Sequence, residues 1–373
     1  MLEEILNPNS IFFWLLILSI LTVVFAFIIR YFTPYVKFIY PNAKFEAIGN
    51  PFLIEKELQV LAEHTSLDAF KDRVNVLRDY QVTGDTVSSI QSSLDQNLLQ
   101  TMRMMQNDSP KKMHAFYEIY LQRIDFYLVK NEIKQKLQGS SAESYLDKAI
   151  LPITRDLLDR INHSTKETMP ALLASYDFDT ELIEELSKEN PDMLQIDILF
   201  DKQFLRRLKD VSVPRNCEQT KQDFIKHVID MLLIKHLLRA KHLSYPPEVC
   251  KTMFLGEGKQ IAQWRFEQMV EAPDIPQLIT AVEGTTYFSA LSGASDRYGK
   301  EKSVHLFEQV IHGSFLQRVR ELSLQNYQTI GPSLRFLVSK EFEIQNLKVI
   351  VKGIAEQLSK EMIQPNLVTE ATS

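Results

Sequence analysis

The feature that most restricts the fold of this chain is an uncharged apolar run close to its start. Residues 11–29 read IFFWLLILSILTVVFAFII and contain only two polar side chains, Ser19 and Thr22. Nineteen helical residues extend about 28 Å, which is close to the ~30 Å hydrocarbon core of a bilayer. A core helix of a soluble protein usually keeps a polar face. We therefore predict a transmembrane helix over 11–32 rather than a buried core helix.

The residues on either side of this run predict its orientation. Two glutamates and no base precede it, whereas a secretory signal peptide begins with basic residues. Arg30, Lys37 and Lys44 follow it within fifteen residues, and basic residues are concentrated on the cytoplasmic side of membrane spans. We therefore predict a single-pass membrane protein with an extracytoplasmic tail over 1–10 and its bulk on the cytoplasmic face. A short connector should follow the span, interrupted by Pro34, Pro41 and Pro51.

Composition favours helices for the rest of the chain. Glycine accounts for only 11 of 373 residues, against a usual ~7%, and open α/β sheets and phosphate loops need glycine at their turns. The net charge is −6 with acids and bases interspersed, so the chain lacks the basic footprint of a nucleic-acid-binding protein. The two cysteines, Cys217 and Cys250, have no metal-ligand spacing. We predict an all-α protein without a nucleic-acid partner.

We find no arrangement of residues in the sequence that indicates catalysis. The stretch LGEGKQ departs from a phosphate-binding loop, because Met253 stands where the first glycine is required and Gln260 replaces the hydroxyl residue. His227, His236 and His242 are nine and six residues apart, not four as in a helical metal pair. We therefore predict a non-catalytic protein with no cofactor, no metal and no small-molecule substrate, most simply a connector or scaffold. An enzyme with an unrecognised site is the remaining alternative.

One amphipathic pattern occurs three times: IDFYLVKNEIK from Ile124, IDMLLIKHLLR from Ile229 and FEIQNLKVIVK from Phe342. Each copy has an acid at the second position, Lys at the seventh and a base at the eleventh. On a helix the apolar positions form one narrow stripe, whereas the acid and the bases lie on opposite sides of it. We therefore expect these charges to meet neighbouring helices, solvent or a partner. The interface candidates are Asp125, Lys130, Lys134, Asp230, Lys235, Arg239, Glu343, Asn346, Lys348 and Lys352.

The spacing of the copies predicts a repeated structural unit. The acids, at positions 125, 230 and 343, are 105 and 113 residues apart. Any two amphipathic helices can be aligned over several positions by chance, but a second similarity, in the spacing of a glycine and a tyrosine, favours a real repeat. Gly49 precedes Tyr80 by 31 residues, and Gly258 precedes Tyr287 by 29. We predict three related helical-bundle lobes and a disordered tail, with the boundaries 33–140, 141–247, 248–366 and 367–373.

Several short motifs occur in the order that they have in one known family. IGPSLRFL and KEFEIQNLK begin at Ile330 and Lys340, YPNAK begins at Tyr40, and a middle motif begins at Asp230. The turn LGEG lies between the middle and the last motifs. Together, over about residues 38–368, they resemble the C subunit of archaeal-type rotary ATPases, which corresponds to the d subunit of vacuolar ATPases.

The resemblance implies an architecture and a role. Members of that family are all-helical and non-catalytic, with three related lobes arranged as a funnel around a pseudo-threefold axis. They sit on the cytoplasmic end of the membrane rotor ring, contact its proteolipid subunits and couple them to the central-shaft subunits. Ion or proton transport is thereby linked to ATP synthesis or hydrolysis. The family implies no cofactor.

The chain departs from the family pattern at two points. Leu233 stands where the middle motif often has Asn, whereas Asn346 keeps that residue in the last motif. The family is also usually soluble, but this chain has a predicted membrane span. A rotor part held in the lipid outside the ring would collide with the stator, so we hypothesise that residues 11–29 thread the bore of the ring. The alternative is a membrane-anchored adaptor of the same fold that works outside an ATPase.

Overall fold

The computed structural model describes residues 8–139, 145–301 and 303–370. Within these ranges the chain is helical and contains no β-strand, which confirms the predicted all-α class. The helices are α1 (Ile11–Ile48), α2 (Glu55–Ala62), α3 (Leu67–Asn75), α4 (Val87–Asp108), α5 (His114–Leu137), α6 (Pro152–His163), α7 (Met169–Ser175), α8 (Thr180–Leu186), α9 (Met193–Asp210), α10 (Glu218–His242), α11 (Pro247–Lys251), α12 (Gln263–Glu271), α13 (Ile275–Ala281), α14 (Phe288–Glu301), α15 (His305–Gln325), α16 (Gly331–Ala355) and α17 (Lys360–Ile363). Single turns of 3₁₀ helix occur at Pro51–Leu53, Lys111–Met113, Leu146–Lys148, Arg215–Cys217 and Gln364–Asn366.

The first helix is longer than the predicted span. α1 continues from Ile11 to Ile48, through Pro34 and Pro41, so the predicted connector at these prolines is wrong. A proline inside a helix removes one N–H donor and crowds the preceding turn, which destabilises the helix without forbidding it. Here Phe38 and Phe45 are buried against the helical body on the same stretch of α1, and this packing offsets the cost.

The two ends of α1 have different surroundings. Nearly all large apolar side chains from Ile11 to Tyr40 are exposed, and none of the residues in its most apolar stretch is buried. Further along, the helix packs against α16, where the Phe45 ring stacks on Phe336 with centroids 5.3 Å apart. By length and composition α1 can cross a membrane. Its C-terminal part joins that apolar stretch to the helical body.

The three copies of the repeated pattern lie on the three longest helices of the body, α5, α10 and α16, which have 24, 25 and 25 residues. Two positions after the end of each helix, a residue adopts a left-handed backbone conformation. These residues are Gly139 at φ 64°, Ser244 at φ 59° and Gln357 at φ 55°. These residues are 105 and 113 positions apart, which are also the spacings of the acids. The copies therefore occupy the same register on helices of nearly equal length.

The N-terminal ends of these three helices meet beside the buried part of α1. At the start of α10, the Thr220 hydroxyl lies 3.3 Å from the hydroxyl of Thr329, which stands two residues before α16. The rings of Phe116 on α5 and Phe224 on α10 have centroids 6.4 Å apart. Asn42 on α1 donates a hydrogen bond to the Thr329 carbonyl at 2.8 Å. The long helices thus converge at the end of the body where α1 enters it.

Helices on opposite sides of the predicted lobe boundaries pack against each other. α5 packs against α6 and α9 beyond position 140, and α10 packs against α12, α13 and α15 beyond position 247. The last long helix, α16, packs against α1, α2 and α4. A separate apolar cluster forms around Val129 and Ile133 of α5 and reaches Phe200 of α9. The division into three lobes stays a prediction at this point.

The end of the chain differs from the predicted disordered tail. Leu367 and Val368 are buried, and the Glu370 N–H donates a hydrogen bond to the Leu53 carbonyl at 3.2 Å. The Arg335 guanidinium also binds the Glu370 carboxylate at 2.8 Å. The two apolar side chains gain burial against the core, which a sequence window ending in ATS does not reveal. Positions 371–373 of the predicted tail lie outside the described residues.

Candidate functional site

Asp125, the first acid of the pattern, is buried in α5 and binds backbone amides ahead of the next helix. Its carboxylate accepts hydrogen bonds from the N–H groups of Ile150 and Leu151, at 3.0 and 2.6 Å. Leu151 is the N-cap residue of α6 and its own side chain cannot accept, so Asp125 supplies the acceptor that the start of α6 needs. Burial raises the pKa of Asp125, and the two backbone hydrogen bonds partly oppose the rise.

Asp230, the second acid, makes the same kind of contact from α10. It accepts hydrogen bonds from the N–H groups of Gln260, at 3.0 Å, and Ile261, at 2.9 Å. Burial raises the pKa of Asp230 to about 7, although these backbone hydrogen bonds partly oppose the rise. The turn approaches so closely that a Cβ added to Gly258 would lie 1.9 Å from Asp230 Oδ1. Only glycine allows this approach.

Glu343, the third acid, has different partners. It accepts a hydrogen bond from the Tyr80 hydroxyl and another from the Lys340 ammonium, which is 3.1 Å away on the same helix. Lys340 is itself buried and also pairs with Asp79 at 2.9 Å. Burial raises the pKa of Glu343, and the Lys340 charge partly opposes the rise. In this copy the acid binds side chains rather than backbone amides.

Asn346 makes in α16 the backbone contact that Asp125 and Asp230 make in α5 and α10. Its side-chain amide donates to the Val368 carbonyl at 2.6 Å and accepts from the Val368 N–H at 2.8 Å. The sequence position of Asn346 in the pattern is occupied in α10 by Leu233, which is buried and apolar. In the third copy, the side chain that binds the backbone of a later segment therefore stands three residues after the acid, about one helical turn further along.

Several bases of the pattern meet acids on neighbouring helices. The ammonium groups of Lys130 and Lys134 on α5 each lie 3.0 Å from the Asp197 carboxylate on α9. Arg239 on α10 lies 3.6 Å from Asp197 and 2.5 Å from Glu308 on α15. Burial would raise the pKa of Asp197, but the charges of Lys130 and Lys134 outweigh it and lower that pKa. These ion pairs hold α5, α9, α10 and α15 together.

The remaining bases are placed in three different ways. Lys348 on α16 binds Asp95 on α4. Lys352 is exposed and its nearest acid is Glu356, 3.8 Å away on the same helix, so this base meets solvent rather than a neighbouring helix. Lys235 on α10 has no carboxylate within 4.0 Å among the residues that the structure describes, and burial lowers its pKa.

The three long helices border one central cavity of about 540 Å³. They contribute side chains at equivalent positions of the pattern. The residues two positions before the three acids line the cavity, as do the residues two positions after them. The first set consists of Arg123, Val228 and Glu341, and the second set consists of Tyr127, Leu232 and Gln345. Equivalent surfaces of α5, α10 and α16 therefore face one space.

The walls of the cavity carry charges that are mostly paired. The Arg123 guanidinium lies 2.5 Å from both oxygens of Glu341, and the Tyr120 hydroxyl donates to Glu341 at 2.6 Å. Burial lowers the pKa of His312 to about 3, so this imidazole is neutral at pH 7. Lys235 also lines the cavity, as a cation without an ion-pair partner in the described ranges.

Several residues of this site are not among those predicted from the sequence pattern. Arg123 and Glu341 stand two positions before the acids of their copies and bind each other. Extending the alignment of the copies by one residue toward the N-terminus would have revealed these opposite charges. Asp197 and Glu308 lie outside the pattern, and no local signal in the sequence distinguishes them from the other acids of the chain. The described ranges contain no cluster of His, Cys, Asp and Glu side chains that could hold a metal ion.

Comparison with known proteins identifies the family. The sequence pattern of the ATP synthase (C/AC39) subunit matches residues 41–365, so the exposed apolar part of α1 precedes the match. The chain is similar to the C subunit of the A-type ATP synthase of Methanothermobacter thermautotrophicus, with 29% identity over 341 residues that cover 87% of each chain. It is 25% identical to that of Pyrococcus horikoshii, over 90% of this chain and 91% of the relative. For Methanocaldococcus jannaschii the identity is 25%, over 75% of this chain and 72% of the relative. The chain therefore belongs to the ATP synthase (C/AC39) subunit family.

Proposed function

We propose that this chain is the non-catalytic central-stalk connector of an A/V-type ATP synthase or ATPase and couples the membrane rotor ring to the central shaft. Family membership, and relatives that are the C subunits of A-type ATP synthases, support a role as an ATP synthase subunit. The observation that carries the finer assignment is the central cavity. Equivalent positions of three repeated helices line it, which is the arrangement expected of a socket for a single axial partner.

The socket belongs to a body that we propose has three lobes around a pseudo-threefold axis. Each lobe contains one of the long helices α5, α10 and α16. The predicted divisions near 140 and 247 follow the ends of α5 and α10, and these two helices contact the lobes on both sides. The convergence of the three helix starts beside α1 and the cavity along their middle parts support a funnel that is narrow at the membrane end.

The tip of the central shaft is the proposed occupant of the cavity. One turn of an α-helix with its side chains is 10–12 Å wide and 5.4 Å high, which corresponds to roughly 500 Å³. The cavity volume of about 540 Å³ matches one such turn. Lys235 offers this partner an unpaired cation, which an acidic side chain of the shaft could neutralise. The mostly paired charges of the wall would favour one orientation of the tip.

We further propose that α1 fixes the narrow end of the funnel to the rotor ring. Its exposed apolar stretch would thread the bore formed by the proteolipid subunits, with the N-terminus outside and the helical body on the cytoplasmic face. The bases Arg30, Lys37 and Lys44, which follow the apolar stretch, support this orientation. A span inside the bore would rotate with the ring and avoid the stator.

Purification from native membranes tests the proposed function. A tagged chain extracted in mild detergent should retain the other ATPase subunits in constant stoichiometry. Cysteines introduced at Leu18 or Phe25 on α1 should crosslink to proteolipid subunits. Crosslinks only to stator subunits or to lipid would contradict the bore placement. A chain that copurifies with unrelated membrane proteins would instead support the adaptor alternative.

A further inference from the structure

A second cavity lies beside α1 rather than between the three long helices. It has a volume of about 1430 Å³ and is open to solvent. α1 forms one wall, and the segments that precede α5 and α10 form the other. Small-molecule clefts measure ~300–1,000 Å³, so this one can hold a larger group. We refer to it as the basic cleft, because of its charged lining: Arg30, Lys37, Lys111, Lys112 and Arg215.

The lining of the basic cleft contains no carboxylate that would pair with its bases. The lining contains five Lys and Arg side chains and no Asp or Glu, although the whole chain has a net charge of −6. All five side chains belong to exposed residues, and none has a carboxylate within 4.0 Å in the described parts of the chain. Like charges gathered in one concave surface repel each other, so an anionic ligand would stabilise the arrangement.

A repeated local structure presents the bases of the second wall. Pro110 and Pro214 have nearly identical backbone angles, φ −54° and ψ 140° for Pro110 and φ −55° and ψ 140° for Pro214. Each is followed by a single 3₁₀ turn, which carries Lys111 and Lys112 in one case and Arg215 in the other. The long helices α5 and α10 begin directly after these turns. The cleft therefore faces the positive ends of two helix dipoles as well as the side chains.

The position of the cleft along α1 identifies the class of ligand. Phe27 belongs to the uncharged apolar run, and Arg30 is the first charged residue after it, yet both line the cleft. The cleft thus extends from the level of the hydrocarbon core to the level of the polar head groups, if α1 spans a membrane. Tyr31 and Tyr35 also line it, and tyrosine is enriched at membrane–water interfaces.

We propose that the basic cleft binds the phosphate head group of an anionic phospholipid, with Phe27 and Tyr31 against its acyl chains. Basic pockets beside membrane helices on the cytoplasmic side commonly bind such head groups. The phosphate would offset part of the positive charge of the cleft. This inference rests on the membrane span of α1, which is part of the proposed function, and does not depend on the shaft or on the rotor ring.

Binding of fluorescent phosphatidylglycerol to the full chain in mild detergent tests the proposal. The test variant is K111Q/K112Q/R215Q, which removes three exposed and unpaired bases. Its matched control is K56Q/R78Q/K209Q, which removes two lysines and one arginine that are exposed but do not line the cleft. Because each base near an anionic surface contributes severalfold to binding, we expect the test variant to lose on the order of a hundredfold in affinity. The control should bind like the wild type.

Competition experiments identify the source of the phosphate. Unlabelled phosphatidylglycerol should displace the probe, whereas phosphatidylcholine and inorganic phosphate at equal ionic strength should not. Equal competition by phosphatidylcholine, equal competition by inorganic phosphate, or unchanged binding by the test variant would each overturn the proposal. Carbonate extraction of the wild-type chain separates the two ideas. Release from the membrane would refute the span itself, whereas a retained chain without lipid preference would refute only the lipid site.

Discussion

The Tyr80 hydroxyl donates a hydrogen bond to the Glu343 carboxylate across 263 positions of sequence. Both side chains are buried, and burial raises the pKa of each. Lys340 completes the network by pairing with Glu343 at 3.1 Å and with Asp79 at 2.9 Å. Because Tyr80 follows α3 and Glu343 lies on α16, this network ties the last long helix to the first part of the chain.

Glu343→Gln should weaken this connection. The variant leaves Lys340 buried with Asp79 as its remaining acid, and loss of one partner from a buried ion pair costs roughly 3–5 kcal/mol. We expect a lower free energy of unfolding by about that amount, measured by denaturant titration of the full chain in detergent. In the assembled ATPase, coupled ion transport should fall, whereas ATP hydrolysis by the isolated catalytic head should persist.

Glu283→Gln is the matched control, because Glu283 is exposed. Its free energy of unfolding should stay within about 0.5 kcal/mol of the wild-type value. If Glu343→Gln unfolds like this control, the Tyr80–Glu343 network does not stabilise the fold. Loss of hydrolysis by the isolated head in the Glu343→Gln background would contradict the non-catalytic assignment.

Gly258→Ala should destabilise the protein through Asp230. An added Cβ would lie 1.9 Å from Asp230 Oδ1 and 3.1 Å from the Ile261 carbonyl oxygen, so the turn or the carboxylate must move. Displacing the turn breaks the hydrogen bonds from Gln260 and Ile261 to Asp230. We expect a loss of about 3 kcal/mol in the free energy of unfolding, measured by denaturant titration.

Gly293→Ala is the opposite control. Gly293 lies inside α14, and apart from the backbone of its own helix no atom would come within 4 Å of its added Cβ. Alanine is a better helix former than glycine, so this variant should gain about 0.5–1 kcal/mol. Equal effects of the two substitutions would show that close approach to Asp230 is not the reason for glycine at position 258.

The sequence predicted the helical class and the register of the repeat because both depend on local periodicity. The pattern predicted acids on one side of an apolar stripe that meet neighbouring helices, solvent or a partner. It did not predict that Asp125 and Asp230 would be buried and bind a later segment. Tyr80 and Tyr287, which have similar spacings after Gly49 and Gly258, are both buried, but Tyr80 binds Glu343 whereas the Tyr287 hydroxyl has no hydrogen-bond partner among the described residues.

The partners of these residues could not be predicted, because they are set by long-range packing. Nothing near Glu343 in the sequence indicates Tyr80, and nothing near Lys130 indicates Asp197 on α9. The continuity of α1 through Pro34 was also unpredictable, since proline usually interrupts a helix and only the packing of Phe38 and Phe45 offsets its cost. Long-range contacts therefore determine the partners of the charged residues and the continuity of α1, which the local sequence pattern does not specify.

Asp230 should give the protein a distinctive pH dependence. Its pKa rises from 3.8 to about 7 on folding, so between these values the folded state holds a proton that the unfolded chain has released. Stability therefore decreases as pH rises from about 4 to about 7, by at most about 4 kcal/mol. Asp230→Asn cannot ionise and should lose this component. Melting temperatures at several pH values in detergent measure it.

The control for this titration is Asp296→Asn, an exposed position whose variant should follow the wild-type pH profile. The comparison uses the difference between each variant and the wild type, since other groups titrate in the same range. If the difference between wild type and Asp230→Asn is constant from pH 4 to pH 7, the carboxyl of Asp230 is ionised throughout. Its backbone hydrogen bonds would then outweigh its burial.

Gln345→Trp should block the proposed shaft socket without unfolding the body. Gln345 lines the central cavity but is exposed, so a larger side chain can project into the cavity without displacing the core. Because the volume of about 540 Å³ matches about one helical turn, an indole ring would compete with the shaft tip for space. We expect at least a tenfold loss in affinity for purified shaft subunits, measured by calorimetry, and an unchanged free energy of unfolding.

Lys352→Trp provides the matched control for this substitution. Lys352 lies on the same helix, seven residues further along, and is exposed but does not line the cavity. The same residue introduced there adds equal apolar surface and leaves the socket open, so shaft affinity should remain at the wild-type value. Normal shaft binding by Gln345→Trp would place the shaft elsewhere on the body. A loss shared by both variants would indicate that the outer face of α16, rather than the cavity, contacts the shaft.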